Sequence, residues 1–232
     1  MTTGVLLIAG IVGALGYVAI EQPFLTATAS LAKIPPQSPW LPAGGLIEIA
    51  NAAVSVGIAI ALYPVLRTRS HALALGAVTF RTIEAVFYIV GALVTLALPG
   101  IAGQYAQTAA PGNSGIQATA DALVDIRNAA ILAGVLAYMI GAVMYYIVLY
   151  RWRLLPRWLP AFGIAAEIVL FTACTLAAFR HTLVSSYPVF SVPAIVSEIT
   201  FAVWLLVKGF SPRATEAPRP SSPALAESPG AA

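Results

Sequence analysis

The chain has 232 residues, 59% of them hydrophobic and only 9% charged, with a formal net charge of +3. Soluble domains carry about 25% charged residues, so this composition excludes an ordinary soluble or a disordered protein. It points to an all-α membrane bundle with the lipid bilayer as its first partner. The few basic residues form no aromatic-flanked stripe, which argues against a nucleic-acid partner.

A membrane-spanning helix needs about 20 mostly apolar residues, and six such stretches can be read in chain order. The first covers residues 4–20. No Lys or Arg precedes it, as a secretory leader would require, so it reads as a retained helix even though Ala27-Thr28-Ala29 resembles a cleavage site. Residues 21–43 carry Pro23, Pro35, Pro36, Pro39 and Pro42 and read as an extended loop with one short turn. The second span covers 44–66 and the third 72–98. Residues 99–115 are rich in Gly, Ala and Gln and read as a mobile loop. The fourth span covers 122–150, the fifth 159–179 and the sixth 192–210. Residues 1–210 thus form the transmembrane unit. Residues 211–232, rich in Pro, Ser and Ala, read as a disordered cytoplasmic tail.

Arg67, Arg69, Arg151, Arg153, Arg157, Lys208, Arg213 and Arg219 fall on one side of this arrangement, and only Lys33 and Arg180 on the other. By the positive-inside rule both termini are expected in the cytoplasm. Trp152, Trp158, Tyr146 and Tyr150 gather at the same basic edge and read as interfacial anchors. Gly10/Ala14 and Gly57/Ala61 are small-residue spacings that allow close helix contacts, either within one chain or in an oligomer. The single cysteine, Cys174, reads as a buried thiol.

Ionisable groups inside a membrane are expensive, by roughly 3 kcal/mol each on insertion scales. The candidate polar site therefore consists of Glu48, Asn51, Arg81, Glu84, Arg127, Asn128, Glu167 and Glu198. Helical rise sorts them by depth. Glu48, Asn51, Asp125, Arg127, Asn128 and Glu198 are expected in an outer layer. Arg81, Glu84 and Glu167 are expected in a central one. Arg81 and Glu84 are three residues apart and share a helix face, as do Glu48 and Asn51, with Ser55 extending the latter stripe. Asp121, Asp125 and Asn128 form a third stripe. Five acids (Glu48, Glu84, Asp125, Glu167 and Glu198) face two arginines (Arg81 and Arg127). Mutual pairing cannot satisfy them all, so some are hydrated, protonated or paired with a ligand.

Several stretches resemble a known family. The second span reads Leu46-Ile-Glu48-Ile-Ala-Asn51 and ends Leu62-Tyr63-Pro64-Val-Leu-Arg67. The third contains Phe80-Arg81-Thr-Ile-Glu84-Ala. A connector reads Leu149-Tyr150-Arg151-Trp-Arg153-Leu-Leu-Pro156-Arg157-Trp158, and the last span closes Trp204-Leu-Leu-Val-Lys208-Gly209-Phe210. These resemble the bacterial family of domain of unknown function 4386 across nearly everything up to Phe210. In such relatives Arg-Asp opens the fourth span, where this chain has Arg127-Asn128. Glu167 lies outside the recognised motifs. The resemblance implies a multi-helix membrane protein and no activity.

Three functional readings stay open. The charged groups can be structural clasps in a non-catalytic subunit. They can line the cavity of a carrier that binds a small molecule or lipid and exchanges a proton, with Arg81 on an anionic group. They can also serve an intramembrane enzyme on a lipid or isoprenoid, which is the less favoured reading because the catalytic inventory is thin. His71 and His181 lie on opposite sides, no Lys sits in mid-span, and no Gly-x-Ser-x-Gly elbow occurs. Neither metal nor cofactor is expected.

Overall fold

The computed structural model describes residues 2–25, 31, 34, 35, 37–107, 114–180 and 182–211. It contains six long helices: α1 (Thr2–Glu21), α2 (Trp40–Arg67), α3 (His71–Gln107), α4 (Ser114–Arg151), α5 (Trp158–Arg180) and α6 (Pro188–Val207). Each is long and apolar enough to cross a membrane. The all-α, six-helix reading therefore holds. The readings of Ala27-Thr28-Ala29, Lys33 and His181, and of the tail from 212 onward, lie outside the described residues.

The helices pack as a ring. Each touches its neighbour in sequence, and α6 closes the circle against α1. Close approach at the seam rests on Gly4, where a Cβ would lie 2.8 Å from the Leu206 side chain. The outer surface is apolar, with Val12, Leu46, Ile60, Val86, Ile126 and Ile168 exposed, as expected for side chains that meet lipid rather than water. Gly10 faces Ile58 and Val54, and Gly57 faces Leu6. The small-residue spacings thus serve the α1–α2 contact within the chain.

One expectation about the connections needs correction. α3 runs through Pro99 to Gln107, and α4 already begins at Ser114. Most of the supposed mobile loop is therefore helical. A proline removes one backbone donor but does not end a membrane helix whose neighbours support it. The stretch before α2, read as an extended loop, also contributes to the core. Leu25, Leu31 and Ile34 are buried with Leu41 against Val94, Leu98, Ala120 and Val124 of α3 and α4. That apolar cap closes over the α3–α4 end of the ring.

At the basic end, around Arg67, Arg151 and Lys208, a second core packs Leu62, Leu66, Tyr145, Tyr146, Leu149, Phe201 and Leu205. A third joins α4, α5 and α6 through Met139, Leu170, Ala173 and Ala194. Cys174 lies in it, 1% exposed. The charged residues lie between these apolar blocks.

Candidate functional site

The central cluster is built around Arg81 of α3, 3% exposed. Its Nη1 donates to Ser55 Oγ at 3.1 Å and to Glu84 Oε2 at 3.2 Å. The i, i+3 spacing on one helix face makes the second contact possible. Ser55 Oγ in turn donates to Glu84 Oε2 at 2.9 Å. Arg81 Nη2 donates to Tyr145 Oη at 3.4 Å and lies 3.6 Å from Glu198 Oε1. The guanidinium also stacks over the Tyr138 ring, 4.4 Å from its centroid, a favourable placement for a cation.

Glu167 joins this cluster without touching Arg81. The Tyr138 hydroxyl is 3.0 Å from Glu167 Oε1 and 2.8 Å from Glu198 Oε1. Glu167 Oε2 is buried and has no hydrogen-bond partner among the described residues.

Glu198 therefore belongs to the central group, not the outer layer expected from the sequence. The physical reason is the position of its helix. α6 starts at Pro188 and ends at Val207, four residues earlier and three residues sooner than the span read from hydropathy. Glu198 sits at its midpoint. Proline at the first helical position is compatible with a helix start, because its missing N–H has no partner there anyway.

The second cluster lies toward the opposite end. Arg127 of α4 pairs with Glu21 at the end of α1, donates from Nε to Thr95 Oγ1 at 2.9 Å, and stands 3.9 Å from Glu48 Oε2. Glu48 is 0% exposed, and neither of its oxygens has a hydrogen-bond partner among the described residues. Gly91 makes room for it, since a Cβ there would lie 3.2 Å from Glu48 Oε1. Asn51 is buried against Gly13 of α1. Asn128 is half-buried, and Asp125 is exposed and outside the ion-paired group.

Glu21, Tyr138, Tyr145 and Thr95 are absent from the sequence-based site. Glu21 reads as the start of a loop until α1 is seen to include it. The two tyrosines are seven residues apart and so share a face of α4, which was a usable signal. With Glu21 in place of Asp125, the interior holds five carboxylates (Glu21, Glu48, Glu84, Glu167 and Glu198) and two arginines.

A cavity of about 400 Å³ reaches this central cluster, with Ser55, Arg81, Glu84, Tyr88, Tyr138 and Glu198 on its polar side. A larger space of about 790 Å³ lies toward the opposite end, against Glu21, Asp125, Arg127, Asn128 and Thr182. Tyr17, Val18, Ile131, Val184 and Ser185 line both, so the two spaces adjoin. Exposed Leu15, Val18 and Val192 also border the inner cavity, which puts part of its rim between α1 and α6. On the basic side, Tyr145, Tyr146 and Phe201 pack with centroids 4.5 to 6.0 Å apart. Among the described residues no group of three or more metal-ligating side chains gathers.

The fold and this charged interior define a multi-pass helical membrane protein. The family model described as Domain of unknown function (DUF4386) matches residues 2–209. The chain belongs to that family. No curated protein and no solved structure matches it.

Proposed function

We propose that the protein is a small proton-exchanging carrier that binds its solute inside the helix ring. The observation that carries this reading is the pair of adjoining cavities, which leads from the end of the ring opposite the arginine-rich loops to Arg81, Glu84 and Glu198. A structural clasp needs no such space. A carrier needs a wet cavity that is closed at its far side, and the Tyr145–Tyr146–Phe201 stack supplies that closure.

The charge balance shapes the ligand. Arg81 is engaged by Glu84, Glu198 and the Tyr138 ring, so it has little left to offer an anion. The excess of acids is better balanced by protons or by a neutral or cationic solute. The apolar walls contributed by Leu7, Ile11, Ile131 and Val135 suit a solute with an apolar part. The concentration of Arg67, Arg69, Arg151, Arg153, Arg157 and Lys208 at one end supports a cytoplasmic position for that end, and the resemblance to a bacterial family supports the bacterial inner membrane as the setting.

Cysteine accessibility tests the reading. In a Cys174→Ser background, Ile131→Cys and Val135→Cys should react with a membrane-impermeant thiol reagent added on the side opposite the basic end. Ala142→Cys, at a fully buried position, should not react. If all three were equally inert, the ring would be a dry core and the carrier reading would fall.

A further inference from the structure

We infer that the basic end carries a binding site for the phosphate headgroup of an anionic phospholipid. A pocket of about 560 Å³ lies between the α4–α5 connector and the end of α6, away from the charged interior. Arg153, Arg157 and Lys208 line it together with Pro156, Trp204 and Phe210.

The pocket is built rather than a chance dip in a loose surface. Just past the end of α6, Gly209 with a φ of 65° turns the chain back. Ser211 N–H then donates to Leu154 C=O at 3.0 Å and ties the returning segment to the connector. On the other side α4 ends in the bond from Leu154 N–H to Leu149 C=O at 3.1 Å, with Arg153 at φ 51° in the left-handed region. Helices usually place glycine there, because a side chain is strained in that conformation. This chain places a cation there instead, at the rim of the pocket.

Among the described residues the three cations have no counter-charge nearby. Every carboxylate among the described residues lies in the ring interior or toward the opposite end, and none forms an ion pair with Arg153, Arg157 or Lys208. Lys208 Nζ lies over the Trp204 ring at 4.4 Å, and the Arg157 guanidinium over Tyr150 at 5.4 Å. One cation at each helix end would suffice to oppose the carbonyl dipoles of α4 and α6. Three around one concavity provide charge for a further anion.

Position selects the source of that anion. Trp158 and Trp204 pack edge to face beneath the cations, 6.1 Å apart. Trp158 is 54% exposed and Val207 74% exposed on the lipid-facing side. Indole rings favour the headgroup level of a bilayer. A phospholipid can place its phosphate among the cations, its glycerol on the indoles and its acyl chains along Val207. Basic pockets between helices near a membrane surface recognise acidic headgroups in this manner.

The test uses the full-length protein purified in a neutral detergent. Phosphatidylglycerol and phosphatidylcholine are added separately, and inorganic phosphate is a third arm. Thermal melting and the lipid retained in native mass spectrometry are read. The expected result is that phosphatidylglycerol raises the melting temperature and is retained in preference to phosphatidylcholine. Inorganic phosphate at millimolar concentration should do neither. Arg157→Gln with Lys208→Gln should weaken phosphatidylglycerol retention about fivefold per cation removed. Arg153→Gly removes a cation while relieving the left-handed backbone, so it should fold at least as well and still lose part of the preference. Equal retention of the two lipids by the unaltered protein would overturn the site. So would a preference that survives all three substitutions, or stabilisation by inorganic phosphate equal to that by the lipid.

Discussion

Glu167 and Glu198 meet on one oxygen: the Tyr138 hydroxyl lies 3.0 Å from the first carboxylate and 2.8 Å from the second. A phenol has one proton to donate. Both contacts are hydrogen bonds only when one of the two carboxyls brings a proton of its own. A residue of α4 thereby bridges Glu167 of α5 and Glu198 of α6, and a proton shared across that bridge is the expectation to be tested. Glu167→Gln should be tolerated, because its amide supplies the missing donor, and a change within about 1 kcal/mol is expected. Tyr138→Phe keeps the ring under Arg81 but leaves both acids without their bridge, at a cost of about 2 kcal/mol. Melting of the two variants in detergent decides the matter; equal losses would mean that no proton is shared.

This relationship also shows what the sequence could and could not reveal. The Arg81–Glu84 pair was readable, because i, i+3 spacing fixes a contact without knowledge of the fold. The partnership of Glu198 with Arg81 was not, since it depends on where α6 begins. Hydropathy placed that start at Val192, and a shift to Pro188 moves Glu198 from the rim to the middle of its helix. Glu21 was hidden for a similar reason, as the last residue of α1 looks like the first of a proline-rich loop. The apolar cap of Leu25, Leu31 and Ile34 was legible in composition, but the prolines around it gave the stronger signal.

Arg81 and Glu84 should respond unequally to mutation. Arg81→Ala removes the cation facing both Glu84 and Glu198 and strands two acids inside the ring. Stranding a buried charge costs about 3–5 kcal/mol, so membrane yield and melting temperature should fall sharply. Glu84→Gln keeps an acceptor for Ser55 and leaves Arg81 its contact with Glu198, and about 1 kcal/mol is expected. A Glu84→Gln variant that failed as completely as Arg81→Ala would show that Glu84 must stay ionised, and would remove it as a proton carrier.

Two glycines should behave in opposite ways. A Cβ at Gly163 of α5 would overlap the Tyr146 ring of α4, whereas one at Gly16 of α1 would meet nothing within 4 Å. The Tyr146 ring is held between Tyr145 and Phe201 and cannot swing away. Gly163→Ala should cost about 1–3 kcal/mol, the usual penalty for overpacking. Gly16→Ala should be neutral or stabilising by up to about 1 kcal/mol, because alanine is the better helix former. Detergent melting curves of the two single variants compare them directly. A Gly163→Ala protein as stable as the parent would mean that α4 and α5 can separate at that contact.

Orientation is open to a direct check. Six helices return the chain to the end at which it starts, and that end bears Arg67, Arg69, Arg151, Arg153, Arg157 and Lys208. A reporter that is active only in the cytoplasm, fused after Phe210, should therefore be active. Activity from a reporter that works only outside the cell would reverse the orientation proposed here, together with the direction from which the cavity opens.

Glu48 and Glu21 share Arg127 unequally, and that inequality predicts different costs. Glu21 pairs with Arg127 directly, whereas Glu48 Oε2 stays 3.9 Å away with no hydrogen bond among the described residues. A fully buried carboxylate without a bond gains little from being charged and pays for its desolvation. Glu48→Gln preserves shape and should change stability by no more than about 1 kcal/mol in either direction. Glu21→Gln takes the paired charge from Arg127 and should cost about 3 kcal/mol, at the lower edge of the range for a broken buried pair because Glu48 can move toward the arginine. Combining the two substitutions isolates that compensation. If Glu48 does step in, the double variant should lose more than the sum of the single losses. Simple additivity would show that Glu48 plays no part in neutralising Arg127, and would leave it as an acid held in the bundle for another purpose.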